Sequence, residues 1–404
     1  MLALKFEAGL FENPYLNLED ALSPVHAERD AILARKAAEK ALILLKNDGI
    51  LPLSVSAPLK VAVIGPNADE ALLGGYSGDS NEKIGILEGL KRLAPSSFVI
   101  EHAVGVWITP PDELGRHRSF SQTEPALRDE NLARIEQAIE LATRSDIIVL
   151  CVGDVPAVTR EAVAPELPGD RSTLGLWGDQ DLLIDALAAT GKPLVIVLLN
   201  GRPLVINKMT ETANAIVEGW YLGEATGLAV ADVLLGNTNP GGKLPVSIPA
   251  SVGELPVYYN RHPSADVNQY LEGARRALFP FGHGLSYTSF EISSPRLSSS
   301  SARSDETVQV VVDVTNTGPV AGDEVVQLYV RDDFSSLPRP VIELRGFERI
   351  HLHPSQTKTV EFSLGAAELG FWNVNLDWVV EPGSFTISVG RSSQDHKSTT
   401  LTVV

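Results

Sequence analysis

Ile147-Ile148-Val149-Leu150-Cys151-Val152, followed at once by Gly153-Asp154, is the stretch that decides the fold. A polar-free run this short reads as a strand with no water-facing side, so both of its faces must be covered. Val61-Ala62-Val63-Ile64, ended by Gly65-Pro66-Asn67, repeats the pattern, as do Leu194 to Leu199 and Ala215 to Val217. Helical spacing lies between these runs. Ala37, Ala41, Leu44 and Leu45 fall at i, i+4, i+7 and i+8 beside a polar face of Arg35, Lys36, Glu39 and Lys40, and Asn47-Asp48-Gly49 breaks the pattern. Leu132, Ile135, Ile139 and Ala142 predict a second helix, Leu183, Ala186 and Leu187 a third, and Ala225 to Leu235 a fourth. Helices alternating with wholly apolar strands predict an α/β sandwich over residues 31–250, with a mainly parallel sheet covered by helices. Ligands then belong at the carboxyl ends of its strands.

Past residue 250 the pattern fades into Pro-, Gly- and Tyr-containing sequence and reaches Ser298-Ser299-Ser300-Ser301, a linker composition, so 251–299 is expected to connect two domains. The period then becomes two. Val308, Val310, Val312 and Val314 alternate with Gln309, Val311, Asp313 and Thr315, and Phe385, Ile387 and Val389 repeat the alternation. With turns at Asn316-Thr317-Gly318-Pro319 and Glu381-Pro382-Gly383, residues 300–404 predict an all-β sandwich with no helix required.

The 404 residues, 44% hydrophobic and 21% charged, suit two or three folded domains. A formal charge of −18, from 33 basic against 51 acidic residues, disfavours nucleic acid and anionic membrane surfaces as partners. No apolar stretch has the length of a spanning helix, and the first 30 residues lack the basic start and apolar run of a signal peptide. The single cysteine, Cys151, excludes an intrachain disulfide and a cysteine-built metal cluster, and leaves the cellular compartment open. The eight histidines show no metal spacing, and there is no Gly-x-Ser-x-Gly elbow or phosphate-binding glycine fingerprint. Neither metal nor cofactor is expected.

Chemistry concentrates in Gly153 to Arg171, the segment that leaves the first strand quoted and carries Asp154, Glu161, Glu166 and Asp170. A rim glutamate becomes a general acid when a partner domain buries it and raises its pKa, whereas an acidic chain also has many merely solvated acidic loops. Gly74-Gly75-Tyr76-Ser77-Gly78 offers an aromatic ring on a neighbouring loop, and His283 reads as structural.

Several motifs in order resemble glycoside hydrolase family 3, the family of many β-glucosidases and β-xylosidases. They are Leu44-Leu45-Lys46-Asn47-Asp48-Gly49 with Leu51-Pro52-Leu53, Val63-Ile64-Gly65-Pro66-Asn67-Ala68, and Gly169-Asp170-Arg171-Ser172 with Leu176 and Gln180. Gly191-Lys192-Pro193 to Asn200-Gly201-Arg202-Pro203-Leu204, Asn239-Pro240-Gly241-Gly242-Lys243-Leu244-Pro245 and Phe279-Pro280-Phe281-Gly282-His283-Gly284-Leu285-Ser286-Tyr287 continue the series. The terminal sandwich is similar to the fibronectin type III-like domain of many members.

The resemblance implies a (β/α)₈ barrel ahead of these domains. Gly9-Leu10-Phe11-Glu12-Asn13-Pro14-Tyr15 is similar to the end of such a barrel and its linker, so residues 1–30 are expected to be residual linker. In the family the nucleophile is a barrel aspartate, and the second domain presents the acid/base glutamate on a loop before the Asp-Arg element. That implies Glu161 as acid/base, with Glu166 the alternative, and Tyr76, Arg160 and Arg171 as substrate-side groups; an ion pair of Arg171 with Asp170 is the structural alternative for that arginine. Val163 stands where an aromatic residue is common. The implied chemistry is retaining hydrolysis of terminal β-D-glucosyl or β-D-xylosyl residues, from a β-linked oligosaccharide or aryl glycoside, by two carboxyls about 5 to 5.5 Å apart. The competing expectation is a non-catalytic carbohydrate-binding or interaction module on the same scaffold.

Overall fold

The computed structural model describes every residue except 16, 19–27, 79, 81, 113–122, 162–168, 264–269 and 272–276. Helices α1 (Leu2–Glu7) and α2 (Glu28–Ala41) lead into β1 (Ile43–Asn47) and β2 (Leu59–Ile64). Then follow α3 (Ile86–Leu93), β3 (Phe98–Ala103), α4 (Arg128–Thr143), β4 (Ile147–Gly153), α5 (Gln180–Ala188), β5 (Leu194–Leu199), α6 (Asn207–Thr212), β6 (Ala215–Glu218) and α7 (Thr226–Leu234). The strands form one sheet in the order β1-β6-β5-β4-β2-β3. All neighbours are parallel except β1, which runs antiparallel to β6.

Along β4, Ile147, Val149 and Cys151 enter one hydrophobic cluster with α3 and α7, while Ile148, Leu150 and Val152 enter the other with α4 and α5. Each such side chain taken from water contributes on the order of 1.5–3 kcal/mol, which is why no polar residue is tolerated in the run. The same split recurs in β5, where Val195 and Val197 face one cluster and Leu194, Ile196 and Leu198 the other.

Three expectations need correction. Leu44 and Leu45 continue no helix: α2 ends at Ala41, and the two leucines sit on β1, each in a different cluster. Their spacing fitted a helix, but the segment is hydrogen-bonded in a ladder with β6, which only a strand can be, and its two sides enter different clusters. Residues 66–130, where no element was expected, contain α3 and the edge strand β3, whose short apolar run Phe98-Val99-Ile100 gives way at once to Glu101-His102 and is only half buried. Within the connecting segment 251–299, residues 278–285 are built into the fold rather than forming a free linker: Leu285 bridges Leu44, Phe279 bridges Ile248, and Leu278 and Phe279 pack on the second cluster.

The all-β unit also starts earlier than residue 300, because β7 (Phe290–Ile292) and β8 (Arg296–Leu297) both pair with a later strand. After β9 (Ser301–Ala302) come β10 (Val308–Asn316), β11 (Gly322–Asp332), β12 (Glu343–Leu352) and β13 (Thr357–Leu364). A single helical turn, α8 (Ala366–Leu369), interrupts the strands where no helix was expected, before β14 (Phe371–Trp372), β15 (Trp378–Val379), β16 (Gly383–Gly390) and β17 (His396–Val403). The sheets β13-β10-β7, with β8 also on β10, and β12-β11-β16-β17-β9 enclose a core of Val308, Val310, Val312, Val314, Phe385, Ile387 and Val389, the alternating residues of the sequence.

The two units are fastened together. Lys243 Nζ meets Glu324 Oε1 at 2.7 Å with both side chains nearly excluded from water, and Gln327 donates to the Gly282 carbonyl at 3.2 Å. Gly282 is required there: its φ is +82°, and a Cβ would lie 2.1 Å from Gln327 Oε1. No helix of the described residues is long and apolar enough to cross a membrane.

Candidate active site

Strands β2, β4, β5 and β6 deliver Asn67, Asp154, Asn200 and Glu218 to the carboxyl edge of the sheet, and all four side chains are buried. The backbones are crowded here. Gly153 adopts φ +144°, and a Cβ on it would lie 2.0 Å from the Leu199 carbonyl oxygen, so β4 can end this close to β5 only as glycine. Gln180, on the first turn of α5, fixes the same point by accepting from Gly153 N at 3.0 Å and donating to its carbonyl at 2.9 Å.

Asp154 begins the loop that was singled out in the sequence, and Arg171 ends it. Arg171 Nη2 donates to Asp154 Oδ1 at 2.5 Å across the neck, and its Nη1 donates to the Gly175 carbonyl at 2.7 Å. The guanidinium also lies 5.7 Å from the Trp177 ring centre. Burial drives the Asp154 carboxyl up to about 6, against the pull of Arg171 and Arg202, and burial likewise lowers the Arg171 pKa. A second closure lies further along, where Arg160 N donates to the Gly169 carbonyl at 2.9 Å. The Arg160 side chain covers Gly169 so closely that a Cβ there would be 2.2 Å from its Cγ.

Asp154 is therefore the side-chain partner of Arg171, so the structural alternative for that arginine holds with a different carboxylate from Asp170. Asp170 Oδ1 accepts from Arg202 Nη1 at 2.9 Å and from the backbone N of Arg171 at 2.8 Å. Adjacent residues on an extended chain point apart, so the carboxylate on the opposite bank of the loop wins. Glu161 sits just beyond the Arg160–Gly169 closure with its side chain exposed. Glu166 and Val163 lie outside the described residues. Tyr76 stands on the surface, 98% exposed. His283 is structural: its Nε2 is 3.0 Å from the Leu45 carbonyl oxygen, and burial lowers its pKa.

Glu218 was missed in the sequence, where its only signal is a lone acid at the end of an apolar strand. Burial raises its pKa to about 8, although Trp220 N donates to Oε1 at 2.9 Å and Asn200 Nδ2 to Oε2 at 3.4 Å. At neutral pH it is mostly a neutral carboxylic acid. Among the described residues no group of three or more His, Cys, Asp or Glu could hold a metal ion.

The glycosyl hydrolase family 3 C-terminal domain matches residues 42–287. The chain belongs to glycosyl hydrolase family 3. A fibronectin type III-like domain matches residues 324–393. Family 3 relatives include a β-xylosidase of Formosa agariphila, 42% identical over 100% of this chain and 54% of its own length. A periplasmic β-glucosidase of Salmonella typhimurium is 38% identical over 97% of the chain and 53% of its own. A solved β-glucosidase of Erythrobacter marinus superposes with TM-score 0.95 at 40% identity, over 100% of this chain and 54% of that one. One from Listeria innocua, in complex with isofagomine, superposes with TM-score 0.85 at 31% identity and the same coverage. The chain thus spans about half the length of the family 3 relatives it matches.

Proposed function

We propose that this chain supplies the general acid/base, Glu161, to a retaining β-glycosidase that removes terminal β-D-glucosyl or β-D-xylosyl residues from oligosaccharides or aryl glycosides. The nucleophile is an aspartate of a (β/α)₈ barrel, in the same polypeptide or a separate one. The supporting observation is the neck: Asp154–Arg171 and Arg160–Gly169 hold both banks of the loop, and Glu161 is the exposed carboxyl immediately past them. Glu161 protonates the leaving oxygen while the aspartate attacks the anomeric carbon, and as carboxylate it then takes a proton from the water that releases the sugar. Packing of the barrel against this edge encloses Glu161 beside the leaving-group oxygen, within reach of the proton transfer it performs. Arg160 acts on the sugar side, Arg171 acts on the site only through the neck it holds with Asp154, and Tyr76 lines an outer subsite. The two domains alone have no turnover in this reading.

The test mixes this chain with a separately made family 3 barrel and measures hydrolysis of aryl β-glucosides and β-xylosides. Glu161→Gln is expected to slow substrates with poor leaving groups by about 10²-fold or more, while substrates with good leaving groups lose less in the glycosylation step. Equal slowing of both classes removes the assignment, and the same leaving-group split appearing in Glu166→Gln instead transfers it to Glu166.

A further inference from the structure

We propose that the β14–β15 hairpin of the fibronectin-like domain is a binding platform for neutral β-linked oligosaccharide. Trp372 and Trp378 are directly opposite each other in the ladder and are 60% and 41% exposed. Between them the turn displays Val374 and Leu376, 77% and 78% exposed. Single apolar residues on a surface are ordinary, but two indoles and two aliphatic side chains on one short ribbon form a contiguous patch.

The patch is rigid. Trp378 Nε1 donates to the Ala366 carbonyl at 2.8 Å, and the ring lies so close over Gly370 that a Cβ there would be 2.5 Å from Nε1. Asn373 Oδ1 accepts from the backbone N of Asn375 at 2.9 Å and of Asp377 at 3.0 Å, while Asn373 N donates to the Asp377 carbonyl at 3.0 Å. Leu376, at φ +64°, completes the tight turn. Little ordering remains to be done when a ligand arrives, which is the condition for a small surface to bind at all.

The geometry suits a sugar ring. The two indoles meet at 72° with centres 5.5 Å apart, making a corner in which Trp378 is the fixed wall and Trp372 the open floor. The face of an indole is electron-rich, and the equatorially substituted pyranose of a β-linked glucan or xylan presents a row of axial C–H bonds to it. Exposed Asn375 and Asp377 stand at the rim for the hydroxyls. The acidic chain, at −18, disfavours an anionic glycan. A stable protein interface needs roughly 800 Å² per partner, more than a hairpin tip of four apolar side chains offers. Only the choice of sugar class rests on the proposed function.

The test titrates the 404-residue chain with cellohexaose and xylohexaose, followed by calorimetry and tryptophan fluorescence. Saturable binding with Kd on the order of 1 mM is expected. Trp372→Ala should weaken it at least tenfold and Trp372→Tyr by less, with unchanged urea midpoints showing that the fold is intact; Glu161→Gln should leave it unaltered, which separates this site from the catalytic one. No saturable binding at tens of millimolar, or equal affinity in Trp372→Ala, overturns the proposal. So does a fluorescence change of Trp372 on adding the barrel with none on adding sugar, which would make the hairpin a protein contact.

Discussion

Replacing Glu218 by glutamine tests whether the buried edge of the sheet holds a proton that the unfolded chain would release. The carboxyl sits at about 8 in the fold, against 4.5 when exposed, because burial outweighs its bonds from Trp220 N and Asn200. Between these values the folded state binds more protons than the unfolded one, so the contribution of Glu218 is most favourable at low pH. It declines as pH rises through 4.5 and stops changing above about 8. Integrating one group from pH 5 to pH 7, at about 1.4 kcal/mol per unit, gives a loss of about 2–3 kcal/mol. Glutamine carries no such proton and keeps an oxygen for Trp220 N. Urea denaturation at pH 5, 6, 7 and 8, followed by tryptophan fluorescence, should therefore show the stability of Glu218→Gln rising relative to wild type by about 2–3 kcal/mol between pH 5 and 7. Parallel pH profiles would refute the reasoning, because they would mean that Glu218 titrates alike in both states.

Two further perturbations probe the loop neck and the junction between the domains. Arg171→Met strands the Asp154 carboxyl in a buried site, and is expected to cost about 3–5 kcal/mol in urea; adding Asp154→Asn should recover part of that loss. For Asp323, burial opposes the charge, but hydrogen bonds from His351, Arg349 and Lys40 hold the carboxyl down at about 2. Its contribution is present above the ordinary aspartate value and is lost as pH falls through about 2. Since the site is only partly buried, Asp323→Asn should remove about 1 kcal/mol of the wild-type stability difference between pH 5 and pH 2, measured by thermal unfolding.

What the sequence made legible was what depends on one strand at a time. The run Ile147 to Val152 has no polar residue because helices cover both sides of β4, and that fact survives without knowledge of any neighbour. The alternation at Val308 to Val314 likewise states which side of β10 faces the sandwich core. Features that depend on two distant segments were hidden. Leu44 and Leu45 satisfy helical spacing, and only the presence of β6 beside them makes the segment a strand. Arg171 stands next to Asp170 in sequence, yet it reaches Asp154 because the loop returns to the strand it left. Glu218 carries no motif, and its unusual proton affinity comes wholly from the neighbours that enclose it.

The double closure of the loop also has an engineering consequence. Asp154–Arg171 and Arg160–Gly169 clamp the two banks at four positions. Those four residues are the fixed points of any redesign of this loop, because a change at one of them releases a bank whatever is written between them.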